Sequence, residues 1–240
     1  MPTDPLFYRD PYATSADATV IHVDADWIVL DRTVFYPMGG GQPGDTGTVQ
    51  GPDGTECRIV DTRKGEGGSI RHRLETASHG LARGEPVSVA LDWERRYRHM
   101  RMHTCLHLLG SLVPAGVTGG SVGEERSRLD FDAGDLELDR QTLTEQLNAL
   151  IRSAHPVRVE QVDEAVLDAQ PELVRTMSVK PPRGVGSLRM IRVEDVDYQP
   201  CGGTHVSDTS EIGPVHVAKI ESKGKHNRRV QVRLGPEGES

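Results

Sequence analysis

The sequence predicts an α+β protein, with a small N-terminal β-barrel over residues 1–92 followed by an α+β domain over residues 93–240 whose sheet is mostly antiparallel. Three patterns carry that expectation. Residues 18–92 hold short strand-like segments between turn residues, helical spacing replaces them at Trp93, and strand and helix signals then alternate up to a basic hairpin near the end.

The barrel strands are expected at Thr19 to Val23, Trp27 to Leu30, Gly47 to Gln50, Cys57 to Val60, Ser69 to Leu74 and Pro86 to Leu91, with Gly, Pro, Asp and Asn at the turns. From Trp93, the residues Tyr97, Met100, Leu106, Leu108, Leu109, Leu112 and Val113 describe a helix that Pro114 and Gly116 stop. A strand around Arg128 to Phe131 follows. Asp139 then caps a helix to about Ser153, whose apolar stripe is Leu143, Leu147, Leu150 and Ile151. Val157 to Gln161 alternates as a strand, Asp163 opens a short helix toward Ala169, and Leu188 to Val193 reads as a strand. Pro214 to Ile220 and Arg229 to Leu234 form a hairpin around Lys223-Gly224-Lys225.

With 240 residues, 35% of them hydrophobic, the chain is large enough to bury a proper core. The opening Met1-Pro2-Thr3-Asp4 is not a targeting pattern, and no stretch nears the roughly 18 apolar residues of a membrane span, so the expectation is a cytoplasmic protein with no membrane partner. Three cysteines, an odd and sparse set, argue against a disulfide framework. A net charge of -8 gives no general support for nucleic-acid binding. The distribution is more informative. Arg95, Arg96, Arg98 and Arg101 face only Asp92 and Glu94, and six basic residues between Lys219 and Arg233 face only Glu221. Each run by itself also fits a solvated charged face.

His103 and His107 stand at helical spacing, a turn of about 400°, so both rings reach one side of the helix. Cys201 and His205 stand in Pro200-Cys201-Gly202-Gly203-Thr204-His205, where the glycines allow a tight bend. Three imidazoles and a thiol are a donor set suited to zinc, one ion per chain. No Glu follows His103, which removes the general base of the zinc-peptidase pattern H-E-x-x-H. Cys105 lies about 200° around the helix from His103, which directs it to core packing.

Four ordered motifs resemble the AlaX family, relatives of the editing domain of alanyl-tRNA synthetase. They are Thr33-Val34-Phe35-Tyr36-Pro37-Met38-Gly39-Gly40-Gly41-Gln42-Pro43-Gly44-Asp45, His103-Thr104-Cys105-Leu106-His107-Leu108-Leu109, Leu129-Asp130-Phe131-Asp132, and Cys201-Gly202-Gly203-Thr204-His205. The resemblance spans nearly the whole chain, and residues 1–92 resemble the glycine-rich barrel of the longer family members. It implies zinc-dependent hydrolysis of Ser-tRNA(Ala), and of Gly-tRNA(Ala) to some extent, on tRNA charged elsewhere. It also implies that Thr33 and Gln42 line the editing pocket beside Gly39, Gly40 and Gly41. A lone glycine turn would by itself fit a hairpin with no ligand.

Given a polyanionic substrate, Arg95, Arg96, Arg98, Arg101, Lys223, Lys225, Arg228 and Arg229 become candidate phosphate contacts, while Asp130 and Asp132 read as structural. Zinc could lower the pKa of water toward about 7 and polarise the ester carbonyl, or it could mainly orient the substrate while the vicinal ribose hydroxyl activates water. The residues do not choose between these. His205 decides how open the centre is. Two other functions share the motifs: editing of Ser-tRNA(Thr), and a non-catalytic tRNA-binding module with structural zinc.

Overall fold

The computed structural model describes residues 1–170, 173–174, 184 and 186–237. Its residues cluster into two compact units, Met1–Tyr97 and Arg98–Ser240. Among the described residues, no helix is long and apolar enough to cross a membrane.

In the first unit, β1 (Asp4–Pro5) pairs in parallel with β4 (Arg32–Thr33). Six further strands close a barrel: β2 (Ser15–Asp24), β3 (Trp27–Leu30), β5 (Gly47–Gln50), β6 (Glu56–Lys64), β7 (Ile70–Leu74) and β8 (Pro86–Leu91), in the order β2-β3-β7-β6-β5-β8. Closure leaves no sheet edge open. β8 shows the driving pattern, since Val87, Val89 and Leu91 are buried while Pro86, Ser88 and Ala90 are exposed. With Val20, Ile28, Leu30, Val49, Ile59 and Leu74 they fill the interior, each burial contributing about 1.5–3 kcal/mol. β2 begins earlier than the sequence predicts because its polar first half, from Ser15, pairs with β8, while its second half pairs with β3. Backbone pairing on two sides extends it where apolar alternation does not.

A buried ion pair ties the loop from Thr33 to Asp45 to this unit. Arg96 and Asp45 side chains are 1% and 2% exposed. The Arg96 Nε donates to the Asp45 carboxylate at 2.9 Å, its Nη2 also meets that carboxylate, and the guanidinium donates to the carbonyls of Pro11 (3.0 Å) and Val34 (2.6 Å). Asp45 further accepts the Tyr36 N–H at 2.6 Å. Arg96 therefore corrects the sequence expectation of a phosphate contact. A charge run along the sequence does not show which of its members turns inward. Gly44 lets the loop lie against β6, for a Cβ there would stand 2.1 Å from the Thr62 carbonyl oxygen.

The helix α1 (Trp93–Leu112) ends before Pro114, as expected. In the second unit, β9 (Gly116–Ser121), β10 (Arg126–Asp132), β14 (Val215–Ser222) and β15 (Asn227–Leu234) form a sheet in the order β14-β15-β10-β9. A second sheet orders β11 (Val157–Asp163), β12 (Ser187–Val193) and β13 (Asp197–Pro200). Every pairing in both is antiparallel. The helix α2 (Arg140–Arg152) starts at Asp139, whose carboxylate accepts the Thr142 N–H at 2.7 Å, and buries Leu143, Leu147 and Ile151. The short α3 (Val166–Ala169) begins later than the sequence predicts, because Asp163 ends β11 and accepts from the Ala165 N–H at 2.8 Å. β9 and β13 were not legible in the sequence: glycines interrupt the first, and the second has only 4 residues and ends on proline.

Replacing Arg96 by Met leaves Asp45 buried without its counter-charge, and is expected to destabilise the protein by about 3–5 kcal/mol. Denaturant melts check this: Arg96→Met should unfold earlier, and the double change with Asp45→Asn should recover part of the loss. An unchanged midpoint for the single variant contradicts the role given to the pair.

Candidate metal centre

The second half of α1 is enclosed, with Met100, Met102, Cys105, Leu106, Leu108 and Leu109 all buried. A helix enclosed this way is a rigid support for side chains. His103 and His107 project from it, both buried, and the chain returns after β13 to place Cys201 and His205 against them. The four ligand atoms lie within 4.8 Å of one another. Cys201 Sγ stands 3.5 Å from His103 Nε2 and 3.3 Å from His205 Nε2. Tetrahedral zinc at ordinary bond lengths sets nitrogen about 3.5 Å from sulfur. The donor set and its spacing therefore fit zinc.

Surrounding residues fix which ring nitrogens face inward. Asp197 Oδ2 lies 2.8 Å from His107 Nδ1, and Gln199 Nε2 donates to the same carboxylate oxygen at 2.7 Å. A proton on Nδ1 then leaves Nε2 as the donor to a metal, the carboxylate–histidine arrangement that raises ligand basicity. His205 Nδ1 meets the Thr104 hydroxyl at 3.1 Å, and that hydroxyl also accepts the Val206 N–H at 3.3 Å. The Gly203 N–H points at Cys201 Sγ at 3.4 Å. Arg189 holds the loop from outside, its Nη1 donating to the carbonyls of Cys201 at 2.6 Å and Gly203 at 2.9 Å.

Electrostatics favour a thiolate. Burial opposes charge on Cys201, but His103 and His205 hold the thiol well below its usual range. Burial likewise opposes charge on His107, yet Asp197 and Cys201 push its pKa up to about 10. Burial and the neighbouring His103 hold His205 well below the ordinary imidazole range. The cluster is thus built to receive positive charge beside a sulfur anion. Cys105 is buried on the helix, and burial pushes its thiol up to about 12, so it stays neutral and packs.

Asp197, Gln199, Arg189 and Thr104 were missed by sequence reading. A signal existed for two of them. Asp197, Gln199 and Cys201 alternate along an extended segment, which sends their side chains to one side. Arg189 and Thr104 become visible only when strand register and helix packing are known.

The remaining predicted site residues divide between the two units. Thr33, Gln42 and Gly39 to Gly41 belong to the barrel unit. Thr33 is fully buried, its hydroxyl 2.9 Å from His72 Nε2 and accepting the Phe35 N–H at 3.1 Å. Burial holds His72 neutral, with a pKa lowered to about 4. Gly39 and Gln42 exchange backbone hydrogen bonds across Gly40 (φ 58°) and Gly41 (φ 81°), a tight turn needing positive φ at both central positions. Of the candidate phosphate contacts, Arg98, Lys223 and Lys225 are exposed. Arg95 donates to the Gly44 carbonyl at 2.8 Å and Arg101 to the Ile212 carbonyl at 2.9 and 2.6 Å. Arg228 donates to Ser222 Oγ at 3.3 Å. Arg229 holds Asp130 through both carboxylate oxygens at 2.7 and 2.9 Å, so Asp130 is structural as expected.

Residues 188–231 match the family described as the threonyl and alanyl tRNA synthetase second additional domain, and residues 10–95 match the class II (A) tRNA synthetases. The chain is 38% identical over 241 residues to an alanyl-tRNA editing protein AlaX-M of Methanosarcina barkeri, covering 97% of this chain and 99% of that protein. It is 35% identical to the AlaX-M of Methanosarcina acetivorans, covering 97% and 99%. With an alanyl-tRNA editing protein AlaX-L of Pyrococcus horikoshii it shares 33% identity over 96% of this chain and 57% of that protein. The chain, with its N-terminal β-barrel and its His–His–Cys–His cluster, belongs to the AlaX family of alanyl-tRNA editing proteins.

Proposed function

We propose that the protein hydrolyses the aminoacyl ester of Ser-tRNA(Ala), and of Gly-tRNA(Ala) to some extent, using one zinc ion held by His103, His107, Cys201 and His205. The observation that carries this reading is the convergence of those four donors within 4.8 Å. Membership of a family whose relatives are named alanyl-tRNA editing proteins supplies the substrate class. When bound, zinc supplies Lewis-acid chemistry suited to an activated ester.

The chain's own residues hold that centre in place. Asp197 keeps a proton on His107 Nδ1, Cys201 contributes the anionic donor, and Arg189 holds the bend of the Cys201–His205 loop. His205 is supported by a neutral hydroxyl at 3.1 Å, whereas His107 has a carboxylate at 2.8 Å. Hydrogen bonds to ions are stronger, so His107 would be held toward a metal more firmly than His205. Thr33 and Gln42 are assigned to recognise the seryl hydroxyl, with Gly39, Gly40 and Gly41 offering backbone to the substrate. A polar pocket of that kind rejects alanine, which leaves its hydrogen-bonding groups unpaired. Arg98, Lys223 and Lys225 are assigned to tRNA phosphates. Two other readings have support of their own. Burial of His103, His107 and His205 also suits a structural metal in a tRNA-binding module, and the threonyl–alanyl family match suits Ser-tRNA(Thr) as substrate.

A side-by-side deacylation assay separates the three. Ser-tRNA(Ala) should be hydrolysed and Ala-tRNA(Ala) spared; faster hydrolysis of Ser-tRNA(Thr) changes the substrate, and no hydrolysis by fully metallated protein favours the binding module. In the same assay, Thr33→Val should impair the seryl substrate more than the glycyl one, and equal losses count against the Thr33 assignment. Because this change removes a partner of buried His72, a destabilisation of about 1–3 kcal/mol accompanies it and is measured first by melting.

Asp197→Ala should weaken metal binding by about 10- to 100-fold with the fold intact. Competition with a chromogenic chelator reads this directly. Unchanged affinity removes Asp197 from the account.

A further inference from the structure

The four-stranded sheet buries one face, with Phe131, Val217, Val230 and Val232 in the core. The opposite face is cationic, and register alone brings its members together. Arg126 stands across from Arg233, Arg128 across from Gln231, and Asp130 across from Arg229. On the far side of β15, Lys219 is opposite Gln231 and Glu221 is opposite Arg229. Strand alternation sends all these side chains to one side, so Arg126, Arg128, Lys219, Arg229 and Arg233 share it with three acids, Asp130, Asp132 and Glu221.

Asp130 sits between Arg128 and Arg229 and bonds both, so two guanidinium groups are held side by side by one carboxylate. Glu221 takes Lys219 at 2.8 Å. Arg126 and Arg233 are directly opposed like charges, which by itself destabilises a sheet. Neither has an ion-pair partner among the described residues. A pocket of about 220 Å³ opens on this face, lined by Ser121, Arg126, Ser127, Arg128, Arg229 and Gln231. Small residues on β9 leave it open, for Gly119 and Ser121 stand across from Asp130 and Arg128. In a chain of net charge -8, so dense a patch of guanidinium groups is suited to an oxyanion, and planar arginine forks match phosphate oxygens.

We propose that this sheet face binds the phosphodiester backbone of RNA, with Arg126, Arg128, Arg229 and Arg233 as its phosphate-holding residues and the pocket seating one phosphate. The assignment rests on the reading above only in taking RNA as the polyanion. It adds Arg126, Arg128 and Arg233 to the residues that sequence placed near a substrate. The opposed pair Arg126 and Arg233 is then relieved by the ligand it attracts.

The test is equilibrium binding of deacylated tRNA(Ala) transcript to the full chain over a range of KCl concentrations, comparing wild type with Arg126→Ala/Arg233→Ala. Among the described residues neither arginine has an ion-pair partner to lose, so the variant should melt at or above the wild-type temperature. Its binding should weaken roughly tenfold or more at low salt, and the slope of log Kd against log salt should fall by about 2. The proposal is overturned if slope and affinity match wild type, or if binding is lost only to vesicles containing phosphatidylserine while RNA binding is unchanged. The transcript carries no aminoacyl ester, so a failure of the proposed hydrolysis does not alter this outcome. A variant that hydrolyses Ser-tRNA(Ala) with an unchanged salt slope overturns the sheet face alone.

Discussion

Three imidazoles and a thiol from segments about a hundred residues apart are held within 4.8 Å, and much of the second unit is arranged to make that possible. Buried polar groups are costly unless each has a partner. Asp197, itself bonded by Gln199, supplies a partner for His107, Thr104 supplies one for His205, and Arg189 supplies them for the carbonyls of the loop. Each support comes from a regular element: α1 carries Thr104, β12 carries Arg189, and β13 carries Asp197 and Gln199. Donor positions therefore follow from strand register and helix packing, with the loop pinned between them.

The barrel unit applies the same principle to a different problem. The Gly39–Gly41 turn has no side chains of its own with which to pack, while Val34, Phe35 and Tyr36 before it are buried and Arg96 bonds Asp45 and the Val34 carbonyl. Desolvating both charges is expensive, and the arrangement is tolerated because the arginine bonds two carbonyls and a carboxylate together. The turn itself stays exposed at Gly40 and Gly41. A loop anchored below and open above suits the recognition role proposed for it.

Much of this was legible in the sequence where a periodic pattern faces a core. Pro86–Leu91 alternates strictly and is a strand with those bounds, and the stripe of Leu143, Leu147 and Ile151 lies buried on α2. The four donors were legible because helical spacing and a Cys–Gly–Gly bend are local. Features set by distant pairing were not. β9 hides behind its glycines, Arg96 cannot be told from its exposed neighbour Arg98, and Arg126 meets Arg233 only through the β10–β15 register. Sequence shows the charge that a segment carries, whereas the sheet decides which charges become neighbours.

The central claim is that the buried donor cluster is a zinc centre on which ester hydrolysis depends. The most direct measurement is single-turnover deacylation of Ser-tRNA(Ala) by protein stripped of metal, with circular dichroism confirming the retained fold, before and after zinc is restored. The account predicts one zinc bound per chain, loss of hydrolysis on stripping, and recovery on adding zinc back. Undiminished hydrolysis by folded, metal-free protein would contradict it.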